Sequence, residues 1–254
     1  MQNINIYKTP LEEILPFRKQ FLQEINCQIR YESCHTRHWA DEYLLVLDDL
    51  NVGYGSIKGK EALADRDAVF EFYVVPNYRK YTNQLFVALL KKSQATYIEC
   101  QSNDFNLSAL LYEFGHQIYS DTILFEDHLT TNFKKEAIIF RKRQTGDDVM
   151  GKSAADEGEY VLEKAGKIIA DGGFLLHYNK PFADLYMETA KEYRNQGLSS
   201  FILQELKKAC YEAGRVPAAR CHIENTASKA TLLKAGMRIS GYMLIGEVKT
   251  GRLS

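Results

Sequence analysis

Apolar and polar positions along this chain follow two rhythms, strict alternation and helical spacing, and the switches between them lay out strands and helices. Residues 11–25 (LEEILPFRKQFLQEI) read as a helix. EYLLVLDD and NVGYGSIKG read as a β-hairpin, and AVFEFYVV as a strand. A helix LFVALLKKSQ, a strand TYIECQ, a helix NLSALLYEF ending at Gly115 and a closing strand QIYSDTILFE follow. The rest of the chain repeats this order. EYVLEKAG and KIIADGGFLLHY form a hairpin, and FADLYMETA is a strand. FILQELKKACYEAG is a helix, AARCHI a strand, TASKATLLKA a helix ending at Gly236, and RISGYMLIGEV closes.

The repetition has a fixed offset. Arg79 and Arg194 are about 115 residues apart, and Gly115 and Gly236 about 121, which marks a diverged internal duplication. The boundary is expected near residues 128 to 133, giving domains 1–130 and 131–254. Alternating strands and helices predict an α/β (α+β) class with a mixed sheet.

One junction stands out. Between FADLYMETA and the following helix lies KEYRNQGLSS, with Arg194, Asn195, Gln196, Gly197, Ser199 and Ser200 but no acid beyond Glu192 before Glu205. Helix N-termini leave N–H groups unpaired and carry partial positive charge, so a first turn usually favours Asp or Glu. Two readings fit: a helix capped by Ser199 or Ser200, or an N-terminus open to an external anion, with Gly197 allowing close approach and Arg194 adding charge.

Composition narrows the function. A net charge of −1 with ordinary apolar and charged fractions gives no basic excess for nucleic acid or an anionic membrane. No apolar run nears the roughly 18 residues of a membrane span, and the N-terminus lacks a signal-peptide pattern. Five scattered cysteines without Cys-x-x-Cys predict free thiols in a reducing cytoplasm. CHTRH (Cys34 to His38) has no second ligand pair nearby, so no metal site is assigned.

Strand, YRNQGLSS, helix, strand and ENTASKATLLKAGM together resemble the GNAT superfamily of N-acetyltransferases over roughly residues 157–248. Arg194, Gly197 and Ser199 fill the family's Arg/Gln-x-x-Gly-x-Gly/Ala pattern, with Ser for the last Gly/Ala. Asn225, Ser228, Lys234, Gly236 and Met237 fill its second motif, with Met for the usual Phe. EAGRVPAARCHIENTAS is similar to a subgroup with Gly-x-x-Pro before the strand and Glu-Asn-x-x-Ser after it.

The resemblance implies two tandem GNAT-like domains, each a mixed, mostly antiparallel twisted sheet with flanking helices. It implies acetyl-coenzyme A as acyl donor, its pyrophosphate cradled by Arg194, Asn195, Gln196, Gly197, Leu198, Ser199 and Ser200, with Asn225, Ser228 and Lys234 beside it. A bulge near Met187 to Thr189 would aim a backbone N–H at the oxyanion. The acceptor would be a small-molecule or peptide amine, and the protein a pseudo-dimeric monomer or a homodimer. Side chains alternate along a strand, so Glu188 should face the acceptor, opposite Met187 and Thr189, and is the first candidate for general base. Glu224 and Tyr242 are further catalytic candidates, with Cys221 behind them. Leu232 stands where many members carry an acidic Tyr. The first half has Thr82 and Gln84 in place of the loop's small residues, and Asp104 in place of the Asn, and is read as a degenerate copy. A second reading of the whole is an acyl-coenzyme A-binding or structural protein without robust transferase activity.

Overall fold

The computed structural model describes residues 2–28, 32–62, 64–153, 155–249 and 251. The chain divides into two compact units, Met1–Asp121 with Gly241–Ser254, and Thr122–Ser240.

The first unit contains β1 (Ile4–Thr9), α1 (Leu11–Glu24), α2 (Glu32–Thr36), β2 (Ala40–Leu47), β3 (Leu50–Lys58), β4 (Ala68–Val74), α3 (Thr82–Ser93), β5 (Tyr97–Gln101) and α4 (Phe105–Phe114). β6 (Gly115–Asp127) begins in it and ends in the second unit. There follow β7 (Ile139–Lys142), β8 (Tyr160–Lys164), β9 (Lys167–Leu175), β10 (Phe182–Thr189), α5 (Leu198–Glu212), β11 (Val216–His222) and α6 (Thr226–Lys234). β12 (Met237–Val248) then passes back into the first unit.

Strand order in the first unit is β1-β2-β3-β4-β5-β12, and in the second β7-β8-β9-β10-β11-β6. Every pairing in each is antiparallel except one, β4 with β5 and β10 with β11. A parallel pair needs a crossover rather than a tight turn, and α3 and α5 supply it. The hairpins turn through left-handed residues, Asp48 and Asp49 in the first unit (φ 46° and 65°) and Ala165 and Gly166 in the second (φ 49° and 77°).

The contiguous division at residue 130 does not describe these units. Met243 to Glu247 of β12 pair with Gln101 to Tyr97 of β5, so the chain's last strand closes the first unit. Thr122 to Glu126 of β6 pair with His222 to Ala218 of β11 in the second.

Both parallel pairs are short. β4 and β5 pair only at Ala68–Tyr97 and Val69–Ile98, and β10 and β11 only from Phe182–Val216 to Asp184–Ala218. Beyond these points the strands part, leaving an open edge on β4 and on β10.

In the first unit, Leu85, Phe86 and Leu89 of α3 and Leu107, Leu111 and Phe114 of α4 pack against Phe72, Val74, Ile98 and Cys100 of the sheet. A buried polar layer also runs through this unit, and His35 of CHTRH belongs to it. His35 Nδ1 lies 2.7 Å from Glu42 and Nε2 3.1 Å from Glu71. Arg18 Nε and Tyr54 OH donate to the same Glu71 carboxylate. Burial alone would lower the His35 pKa, but the charge of Glu71 and the bonds to Glu42 and Glu71 outweigh it and push it up to about 9. Because the folded value is raised, this stabilisation is full below pH 6.5 and is lost as pH rises through about 9. His35→Phe leaves two carboxylates short of a partner and should cost about 3 kcal/mol. Urea midpoints should fall between pH 6.5 and pH 9 in the unsubstituted chain, and fall less in the variant.

All five cysteines are buried thiols. Among the described residues no helix is long and apolar enough to cross a membrane.

Candidate active site

β10 ends at Thr189, and a 3-10 turn at Lys191–Tyr193 leads to α5. Asn195 and Gly197 both take left-handed conformations, φ 62° and 72°, and turn the chain into the helix. Gly197 is the N-cap residue, so no side chain caps α5, and its first turn holds no acid. Of the two readings, capping by Ser199 or Ser200 therefore does not occur. Ser199 Oγ instead meets Thr189 Oγ1 at 2.9 Å, and Ser200 Oγ donates to the Thr231 carbonyl at 3.5 Å. Arg194 Nε donates to the Thr189 carbonyl at 3.1 Å, which ties the loop to the strand end.

Two ammonium groups converge on this turn. A Cβ placed on Gly197 would lie 3.4 Å from Lys135 Nζ and 3.9 Å from Lys234 Nζ. Lys234 was legible in the family motif. Lys135, from the polar segment after β6, was not. Its ammonium donates to the Gln196 carbonyl at 2.6 Å.

The turn opens onto a cleft of about 530 Å³. Met187, Thr189, Arg194, Asn195, Gly197, Ser199, Ser200, Asn225, Ser228 and Lys234 line it together. Two expected members do not. Leu198 is buried among the core positions of α5, and the Gln196 amide turns back to donate to the Glu192 carbonyl at 3.4 Å. Asn225 caps α6, its Oδ1 accepting the Ser228 N–H at 3.0 Å.

The edge of β10 also differs from expectation. Its register with β9 runs one-to-one from Asp184–Leu175 to Thr189–Ala170, without a bulge. The opening comes from divergence of β11 instead. The Ala190 N–H donates to the Ile169 carbonyl at 3.0 Å. By the alternation of an antiparallel ladder, the N–H groups of Met187 and Thr189, beyond the last β10–β11 pair at Asp184–Ala218, then face the gap.

Glu188 lies on the opposite face from Thr189, beside Lys152, whose ammonium is 2.9 Å from its carboxylate. Arg194 is 3.9 Å away. Lys152 also donates to the buried Asp171 at 2.7 Å. Burial would lower the Lys152 pKa, but the bonds and charges of Asp171 and Glu188 outweigh it and raise it, so this lysine stays an ammonium and does not compete as a base. Glu188 and Arg194 line both the first cleft and a second of about 560 Å³, formed with Met150, Lys152, Ile168 and Lys191.

None of the other catalytic candidates lines either of these two clefts. Glu224 is exposed, and it is its backbone N–H that donates, to His222 Nδ1. Tyr242 belongs to the first unit, where its backbone N–H donates to Ser102 Oγ. Burial pushes the Cys221 thiol up, making it a weaker acid. Leu232, in the slot of the family's Tyr, is core at 3 % exposure.

The first unit has a counterpart cleft of about 300 Å³. Arg79 Nε donates to the Val74 carbonyl at 3.2 Å, as Arg194 does to Thr189. Asp104 caps α4 through the Leu107 N–H, as Asn225 caps α6. The α3 first turn also lacks an acid. The charges differ, however. Glu113 lines this cleft at the position corresponding to Lys234, and Arg79 pairs with Glu24. Thr82, at the place of Gly197, is helical with φ −49°.

Residues 10–128 match the acetyltransferase (GNAT) domain family, a match that falls on the half with the divergent phosphate loop. No curated protein sequence matches the chain. Among solved structures, the chain is similar to a GNAT-family acetyltransferase from Colwellia psychrerythraea, at 16% identity and TM-score 0.76 over 97% of this chain and 100% of that one. It is also similar to a tandem GNAT protein from the clavulanic acid biosynthesis pathway, at 9% identity and TM-score 0.62 over 96% and 98%. A GCN5-related N-acetyltransferase from Sphaerobacter thermophilus matches at 15% identity and TM-score 0.58 over 97% and 96%. With two copies of one strand-and-helix plan, each split at its single parallel pair, the chain has the fold of tandem GNAT proteins, and residues 10–128 match the GNAT acetyltransferase domain family.

Proposed function

We propose that this protein is an N-acetyltransferase that moves an acetyl group from acetyl-coenzyme A to a primary amine of a small-molecule or peptide acceptor, in the cytoplasm, with the donor held by the second unit. The observation that carries this reading is the start of α5, an uncapped, acid-free helix N-terminus with Arg194, Lys135 and Lys234 around it. Such a turn suits a pyrophosphate, which accepts backbone N–H bonds and completes the helix dipole.

The residues then take these roles. The Met187 N–H, facing the gap, donates to the thioester oxygen as negative charge develops on it. Glu188, between the two clefts, takes the proton from the acceptor ammonium. The freed amine attacks the carbonyl, collapse expels the thiolate, and the second proton on the nitrogen leaves to solvent. No side-chain acid is assigned to this step, since Leu232 is buried and thiols are acidic enough to depart near neutral pH. The first unit, with Glu113 and Thr82 in its cleft, binds no coenzyme in this reading.

One observation favours a second reading, a coenzyme-binding protein without robust transferase activity: the Glu188 carboxylate is already engaged by Lys152. Incubation with acetyl-coenzyme A and a panel of amines separates the two. Thiol release that rises with one class of amine supports the transferase. Thermal stabilisation by acetyl-coenzyme A with no release above background across the panel supports the binder.

A further inference from the structure

The segment after β6 is a strap laid antiparallel along α5. At its start, Tyr211 OH donates to Asp127 at 2.7 Å, and Lys207 pairs with the same carboxylate. Lys207 also donates to the Leu129 carbonyl at 2.7 Å and the Ala235 carbonyl at 2.9 Å. Further along, Gln204 grips Phe133 at both ends of its amide. Oε1 accepts the Phe133 N–H at 2.6 Å, and Nε2 donates to the Phe133 carbonyl at 3.1 Å. The strap reaches the helix start at Lys135 on the Gln196 carbonyl. Positions 211, 207, 204 and 196 thus meet 127, 129, 133 and 135 in order.

Gln204 and Lys207 are 4 % and 5 % exposed. Burying an amide and an ammonium on a helix is costly unless they are fully bonded. Besides Lys207 on the Ala235 carbonyl and Gln204 on its neighbour Glu205, their bonds go to the strap and fix where it ends. It ends with an ammonium within 4 Å of the point where Lys234 also converges. Among the described residues, no carboxylate pairs with either lysine. Two such cations repel each other until an anion sits between them.

We propose that Lys135 is a ligand for the coenzyme pyrophosphate, delivered to the α5 N-terminus by the strap, and that Gln204 is the positioning residue that sets its reach. This rests on the reading that the second unit holds the donor. It extends the phosphate site from one strand-loop-helix junction to a linker far from it in sequence.

Calorimetric titration of the full chain with coenzyme A and dephospho-coenzyme A, which keeps the pyrophosphate but lacks the 3′-phosphate, tests it. Lys135→Ala should weaken both ligands by the same factor, about tenfold, as expected for one charge-assisted contact. Lys135→Arg should retain most of the affinity. Gln204→Leu keeps every charge yet frees Phe133, and should weaken both ligands in the same direction. Added to Lys135→Ala it should cause no further loss, because the two act through one contact. A merely structural Gln204 would give additive losses, which would overturn its positioning role. A loss with coenzyme A alone would place Lys135 on the 3′-phosphate and overturn the assignment, as would unchanged affinity in Lys135→Ala. Failure of the unsubstituted chain to bind either ligand would overturn the donor reading itself, a result distinct from all of these.

Discussion

Gly197→Val should abolish coenzyme binding, lowering affinity by about a hundredfold or more. The residue holds φ 72°, where a β-branched side chain is strained, so the turn that presents the α5 N–H groups would be rebuilt. The new side chain would also enter the space between Lys135 and Lys234, pushing both ammoniums off the point where they converge. Thr82→Val at the matching place in the first unit should leave affinity unchanged. That residue is already helical, and its cleft carries Glu113. Calorimetry should find one site per chain, lost in Gly197→Val and kept in Thr82→Val. Two sites would mean that the first unit also holds the donor, and one site that survives Gly197→Val would mean that the donor sits in the first unit, the half matched by the acetyltransferase domain family.

Glu188→Gln should lower turnover by roughly a hundredfold or more at neutral pH while coenzyme affinity stays near that of the unsubstituted chain. The amide keeps the shape and removes the proton acceptor. The side chain borders the donor cleft, 3.9 Å from Arg194, but the amide has the same size and leaves the phosphate turn itself untouched. Rate should recover at high pH, where the acceptor amine arrives unprotonated. A pH–rate profile identical to that of the unsubstituted chain would remove Glu188 from the mechanism. The base would then have to be sought elsewhere in the second cleft, and not at Lys152, which its two carboxylate partners keep protonated.

The long elements of both halves were legible because their periodicity is local. α5, β10 and the two hairpins depend on residues that are neighbours in sequence. β7 was missed because its exposed edge shows no apolar alternation, and α2 because five residues carry too little pattern. The closing strands were read, but not their partners, since period two says which face is buried and not which edge is paired. The phosphate turn was legible from Arg194 to Ser200 for what it lacks, an acid. The choice between an open N-terminus and a serine cap was not, since it turned on the left-handed conformation of Gly197. Lys135 and Lys152 sit in polar segments that look like linker, and only Gln204, Asp171 and their bonds give these lysines an address.

The return of β12 to β5 sets an order of events during synthesis. Until Met243 to Glu247 have been made, the edge of β5 from Tyr97 to Gln101 has no such partner, although the rest of the first unit was translated long before. An open strand edge is where chains associate wrongly, and domains synthesised first usually have the advantage of folding first. Here the N-terminal unit is the last to be completed. A nascent chain stalled between the two units would be left with an unfinished sheet, and a gene cut at residue 130 would yield two fragments that each lack a strand.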